Sequence, residues 1–167
     1  IMHLNIYRYY AVYVEFKEED EYGDPGPFVY TGDPIEPEIE VHLDISPYSE
    51  LVEGTEYTKE YSYNVQCGAG LVTIKGVGDL YDKTGTQKYE EPFPIYPTKA
   101  VLNKLTVAEG QITVNVKDQK DEGITGYCVA YTEKDQDDWH WEYFGPDSTD
   151  LVVKGLTAGK QYEVCVY

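Results

Sequence analysis

Three kinds of residue in this sequence could do chemistry: acids clustered beside aromatic rings, three histidines and three cysteines. The stretch "TEKDQDDWHWEYFG" sets Asp135, Asp137 and Asp138 just ahead of Trp139, Trp141 and Tyr143. Rings at alternate positions can offer flat apolar faces to a sugar or a protein. Trp139, Trp141 and Tyr143 are therefore candidate ligand-binding residues. The same spacing suits rings divided between a core and the cover of a sheet, and both readings stand at this point. Asp118 and Asp121 share one loop, Asp135 and Asp137 another. Calcium takes six to eight oxygen ligands, which makes these four weak calcium candidates. They are weak because no EF-hand spacing accompanies them.

His3, His42 and His140 stand far apart, and Cys67, Cys128 and Cys165 contain no CxxC pair. Cys67 lies in a Gly-flanked turn with no basic residue or His nearby in sequence to favour its thiolate. Neither a Ser/His/Asp spacing, a Gly-rich phosphate loop nor an HExxH run occurs. The sequence predicts no catalytic residue, no enzyme, no firm metal site and no cofactor.

The elements that would carry these residues are strands. The chain has 167 residues, of which 41% are apolar, and its 18 Tyr far outnumber 4 Phe and 2 Trp. Tyr suits pleated, half-buried surfaces where the ring packs and the hydroxyl reaches water. Fifteen Gly and nine Pro fall between short alternating runs, as turns do. The net charge of −18 would repel a nucleic-acid backbone or an anionic membrane. No run of about 18 apolar residues is present to span a bilayer. "IMHLNIYRYY" alternates too much for the apolar core of a secretory signal, so the chain reads as intracellular or already processed.

The opening segment "IMHLNIYRYYAVYVEF" keeps one parity, apolar at even positions apart from Arg8. Sixteen residues would run roughly 50 Å, two to three times an ordinary strand. It is expected to serve two sheets, breaking near Arg8, with Met2, Leu4 and Ile6 on one face of the leading piece. The runs "FVYTGDPIEPEIEVHLD", "YTKEYSYNV", "GLVTIKGVGDLYD" and "TQKYEEPFPIYP" follow. "FPIYPTKAVL", stiffened by Pro94 and Pro97, is expected to form a short linker. Beyond it come five more runs: "QITVNVKD", "GITGYCVAYTEK", "WHWEYFG", "TDLVVKGL" and "KQYEVCVY". No sustained helical period appears. The expected organisation is all-β: a linking or donor strand at 1–8 and two modules at 9–96 and 97–167.

The second module resembles a fibronectin type III domain through "ITVNV", "GYCVAY" and "GLTAGKQYEVCVY". In the last motif Gly155, Leu156, Gly159 and Tyr162 match the corner where a Tyr hydroxyl bonds back to upstream backbone. The resemblance implies that Tyr127, Val129 and Tyr131 point inward, as do Tyr162, Val164 and Val166. It also implies a seventh strand, which this sequence lacks. The first module is similar to a bacterial immunoglobulin-like surface repeat through "YTGDPIEPEIEV", "LVEGTEYTKEYSYN" and "AGLVTIKGVGDLYD". The resemblances together imply two tandem immunoglobulin-like/fibronectin type III β-sandwiches with an extracellular, cell-surface role. Mapped onto the family's neighbouring third and sixth strands, Cys128 and Cys165 come nearly opposite on the outer face. They form a candidate cross-strand disulfide, with two reduced thiols as the alternative.

A sandwich short of its last strand leaves a slot flanked by Tyr162, Val164 and Val166. Further sequence outside this chain, the chain's own leading strand, or Met2, Leu4 and Ile6 of a neighbouring copy could fill it. The last option makes the protein a filament or stalk subunit that polymerises head to tail by strand donation, with copies of itself as partners. Two alternatives remain: a monomeric adhesin for a host glycan or cell-surface protein, and a phage virion decoration protein. None of the three requires nucleic acid or membrane insertion.

Overall fold

A computed structural model describes residues 11–43, 49–77 and 88–167. The chain divides into two compact units, Ile1–Tyr96 and Pro97–Tyr167. Every element among the described residues is a β-strand, and among those residues no helix is long and apolar enough to cross a membrane. The leading segment with Met2, Leu4 and Ile6 lies outside the described residues, so its expected break near Arg8 does too.

In the first unit the strands are β1 (Val12–Phe16), β2 (Phe28–Val29), β3 (Ile39–Leu43), β4 (Ser49–Glu50), β5 (Tyr57–Ser62), β6 (Gly68–Gly76) and β7 (Lys88–Tyr96). They form two sheets, ordered β1-β3-β4 and β2-β7-β6-β5. Alternation selects the faces. Val14, Phe16, Val41 and Leu43 from one sheet meet Val72, Ile74, Phe93 and Ile95 from the other in a single buried cluster. Burying each such side chain stabilises the fold by about 1.5–3 kcal/mol.

Phe93 is the hub of that core. It is 1% exposed, and its ring lies 5.6 Å from Phe28, 6.0 Å from Phe16 and 6.2 Å from Tyr61, edge-on to Phe28 and Tyr61. Room for the ring comes from Gly70, directly opposite on β6; a Cβ there would lie 2.4 Å from the Phe93 ring. Tyr61 anchors the far side by donating its hydroxyl to the Pro37 carbonyl at 2.5 Å. Burial pushes its pKa up to about 12. Asn64 and Ile35 tie the neighbouring turn through two bonds. The Asn64 amide donates to the Ile35 carbonyl at 3.0 Å, and the Ile35 N–H to the Asn64 carbonyl at 2.8 Å.

The prolines of "PFPIYP" behave differently from the expected linker. Pro92 and Pro94 lie inside β7, opposite Leu71 and Ala69 of β6. A proline has no N–H to give a ladder and is tolerated where that position faces a sheet edge. Pro92 and Pro94 share their parity with Tyr96, whose carbonyl faces away from β6 to accept the Tyr30 N–H at 2.8 Å. Both prolines therefore turn their donor-less nitrogens outward, and the strand continues to Tyr96. Only the C-terminal end of the β7 edge is met by β2, which runs parallel to it through Phe28↔Ile95 and Val29↔Tyr96.

The second unit contains β8 (Leu102–Ala108), β9 (Gln111–Val116), β10 (Tyr127–Glu133), β11 (His140–Phe144), β12 (Asp150–Lys154) and β13 (Tyr162–Val166). Its sheets are ordered β12-β9-β8 and β11-β10-β13. The core joins Ile112, Val114, Val116, Leu151 and Val153 of the first sheet to Tyr127 and Val129 of the second. β8 adds a sixth strand to the five runs expected. All seven of its residues are exposed, so its apolar side chains sit outside the buried core that alternation usually marks.

Gly70→Ala is expected to destabilise the first unit by about 1–3 kcal/mol, through overpacking against Phe93, as read by chemical denaturation. Tyr61→Phe is expected to cost about 1 kcal/mol at neutral pH. The neutral phenol is favoured in the folded state, so Tyr61 contributes stability below its unfolded value near 10 that is lost as pH rises through about 12. Denaturation midpoints of wild type and Tyr61→Phe should converge over that window.

Candidate functional site: the open edge of the second unit

Strand β13 has one neighbour among the described residues, β10. The register pairs Val129↔Val166, Ala130↔Cys165, Tyr131↔Val164, Thr132↔Glu163 and Glu133↔Tyr162. Cys128 and Tyr167 exchange both backbone hydrogen bonds at 2.8 Å, and the Lys134 N–H donates to the Gln161 carbonyl at 2.8 Å. Hydrogen-bonded pairs alternate along an antiparallel ladder. Odd-numbered residues of β13 thus face β10, while Tyr162, Val164 and Val166 aim their N–H and C=O groups at the opposite edge.

The side chains of those same three residues turn inward and lie half-buried against the core. Across the sandwich, β8 pairs Leu105↔Val114 and Val107↔Ile112. Directly paired residues share a face, so Leu105 and Val107 also point into the sandwich. Yet Leu105 is 49% and Val107 71% exposed, because the β11-β10-β13 sheet ends before it covers them. Between the two edges lies a cleft of about 570 Å³ whose walls include Leu105, Val107, Ile112, Leu156, Tyr162 and Val164.

The cleft has a rigid rim. The Thr157 N–H donates to the Tyr162 hydroxyl at 3.1 Å, and the Leu156 N–H to the Gly110 carbonyl at 3.0 Å. The first of these is a tyrosine corner, fixing the entry to β13. Gly155 and Gly159 turn the chain at φ +78° and +79°, a region that L side chains rarely adopt. At the same end Lys160 ion-pairs with Glu133 at 2.6 Å.

The outer face of β11-β10-β13 carries the other candidates. Trp141 stands opposite Ala130 and Tyr143 opposite Cys128. Trp141 is 53%, Tyr143 79% and Tyr167 65% exposed, and the Trp141 and Tyr167 rings lie 6.0 Å apart; Trp139 is half-buried. On the inner side of the same strand Phe144 packs on the core. The aromatic run is therefore split: its odd positions clothe the outside of the sheet.

Register corrects the cysteine pairing. Cys165 stands opposite Ala130, and Cys128 exchanges its backbone bonds with Tyr167, so the two sulfurs are diagonal rather than opposite. Diagonal neighbours lie about 7–8 Å apart, whereas a disulfide needs Cβ atoms at about 3.5–4.5 Å. Both thiols are free. Burial pushes the Cys128 thiol pKa up, partly offset by a hydrogen bond with Tyr143.

Two of the four weak calcium candidates are satisfied locally. Asp118 pairs with Lys120. Asp121 accepts from the Thr98 N–H at 2.6 Å, the Thr98 hydroxyl at 2.7 Å and the Gln119 amide at 3.3 Å. Asp135 and Asp137 sit exposed in a separate loop. No three-ligand cluster among the described residues includes any of the four. The cluster that does form, Glu15, Glu40 and His42, was not foreseen from sequence because it depends on how β1 and β3 align.

No family model and no curated protein matches the chain. Among solved structures the chain is similar to domains A168–A170 of titin, at 13% identity and a TM-score of 0.34, over 93% of this chain and 59% of that one. It is also similar to the FN1–FN3 domains of chicken CNTN1, at 13% identity and a TM-score of 0.36, over 95% of this chain and 48% of that one. It thus spans less than two thirds of either. The all-β, immunoglobulin- and fibronectin-like sandwich architecture rests on the strand order and register themselves.

Non-reducing mass spectrometry of the intact protein should find Cys128 and Cys165 unlinked. Cys165, the exposed thiol, should alkylate several-fold faster than half-buried Cys128, whose raised pKa leaves less thiolate at pH 8.

Proposed function

We propose that the protein is a structural subunit of an extracellular filament or cell-surface stalk, whose second unit is completed by a β-strand from a second copy. The observation that carries this reading is the exposure of inward-facing Leu105 and Val107 across from the open edge of β13. An added strand would satisfy the outward amides and carbonyls of Tyr162, Val164 and Val166. Its alternate side chains would fill the apolar cleft, as in strand addition generally.

Met2, Leu4 and Ile6 supply the matching pattern, three apolar residues at alternate positions in sequence. Charge favours the same segment. The chain carries −18, yet residues 1–14 hold Arg8 and no acid, so this stretch approaches another copy with little repulsion. A strand given by one copy to the slot of the next is a heterologous contact, whose product is a filament unless its rotation closes a ring. Light scattering should show head-to-tail oligomers of the full chain that grow with concentration and with salt, as screening weakens repulsion between acidic copies. Leu4→Asp should cripple donation and Val107→Asp acceptance, so each variant alone stays monomeric. An equimolar mixture should stop at a dimer, since one intact donor meets one intact slot. A wild-type chain that remains monomeric at high concentration would exclude the filament.

A second reading, a module that binds glycan or protein, is favoured by the exposed Trp141, Tyr143 and Tyr167. Stacking of a ligand on Trp141 should quench its fluorescence, and Trp141→Ala should abolish that signal while leaving oligomerisation unchanged.

A further inference from the structure

We propose that Glu15, Glu40 and His42 form a binding site for a divalent cation of the zinc class on the outer face of the β1–β3 pair. The register places Glu15 directly opposite Glu40, with His42 two residues further along β3. His42 therefore lies diagonal to Glu15, within reach of a long side chain. One ligand atom from each residue falls within a group no wider than 4.8 Å. His42 Nε2 is 3.5 Å from Glu40 Oε2 and 3.9 Å from Glu15 Oε2. A tetrahedral zinc ion with bonds of about 2.0–2.1 Å holds its ligand atoms about 3.3 Å apart. Reaching that value closes the two His42 distances by about 0.2 and 0.6 Å, and the Glu15–Glu40 pair by at most about 1.5 Å, within the reach of glutamate rotamer adjustments.

The donor set selects the ion. Imidazole nitrogen suits zinc and its neighbours in the first transition row, whereas calcium and magnesium take oxygen alone. Three protein ligands would leave the fourth position to solvent on the side of Glu15, whose side chain is 48% exposed against 11% for His42. Lys17 supports the arrangement by pairing with Glu40 Oε1. That contact turns Oε2 toward His42, the orienting role that groups around a metal's direct ligands commonly play. Like charges placed directly opposite across a strand pair are destabilising, and Glu15 faces Glu40 on a chain of net charge −18. Lys17 offsets part of that repulsion at Glu40, and a cation seated between the two carboxylates would remove the rest.

The test is calorimetric titration of the full chain with zinc chloride, beside Glu15→Gln, His42→Gln and His140→Gln. Wild type and His140→Gln should take up one equivalent with the same affinity, and the melting temperature should rise with zinc, as for any ion bound only by the native state. Glu15→Gln and His42→Gln should each weaken binding at least about tenfold, because even indirect supports of a metal contribute about that much. Glu15 is exposed, so its variant keeps the test open should His42→Gln fail to fold. Absence of a binding heat, or uptake unchanged in both Glu15→Gln and His42→Gln, would overturn the assignment.

Discussion

The edge of a β-sheet is the constraint on which this protein turns. A strand with one neighbour presents a row of amides and carbonyls that any extended chain can join. The two units meet that constraint differently. In the first, the edge of β7 is met by β2, a two-residue strand running parallel to it. In the second, β13 has β10 on one side, and nothing among the described residues pairs with its other edge. The same sandwich logic thus gives one unit a partly covered edge and the other an edge with no partner strand among the described residues.

Burial follows from that difference. Phe93 is ringed by Phe16, Phe28 and Tyr61 in the first unit, and Gly70 gives way to let the ring in. Nothing comparable shields Leu105 and Val107 in the second. Their strand is paired to β9 along its length, yet the opposite sheet stops short of them. Exposure of inward-facing residues is a sharper sign than exposure of large apolar residues in general, since scattered surface Val and Leu are ordinary. The outer faces carry a second layer of chemistry. Acidic side chains are spread over a chain of −18, and the ladder sets two of them across from each other beside His42, with Lys17 paired to one of the two.

Much of the fold was legible in the sequence. Alternation in "YAVYVEF" and "QITVNV" marks Val14, Phe16, Val114 and Val116 as core, and all four are buried. The tyrosine corner was legible as well, because Gly155, Leu156, Gly159 and Tyr162 carry it within eight residues. Other features escaped. Pro94 and Pro97 suggested a linker, yet Pro94 sits in a strand, because its nitrogen faces the side away from β6. β8 was hidden by the absence of any buried residue to announce it. The cysteines were assigned to the correct outer face but to the wrong partners, since a shift of two residues preserves the face while changing the neighbour.

That last case shows where local information ends. Whether a side chain faces the core or the solvent depends on a two-residue period that the chain writes into itself, so the sequence alone determined an all-β protein and most of its inward residues. Which strand lies beside which, and in what register, depends on packing between segments tens of residues apart. Only the tertiary structure could therefore set Cys165 against Ala130, bring His42 to Glu15 and Glu40, and bring β2 to the end of β7 while giving the outer edge of β13 no partner among the described residues. Side-chain direction is fixed within a strand; adjacency is fixed between strands.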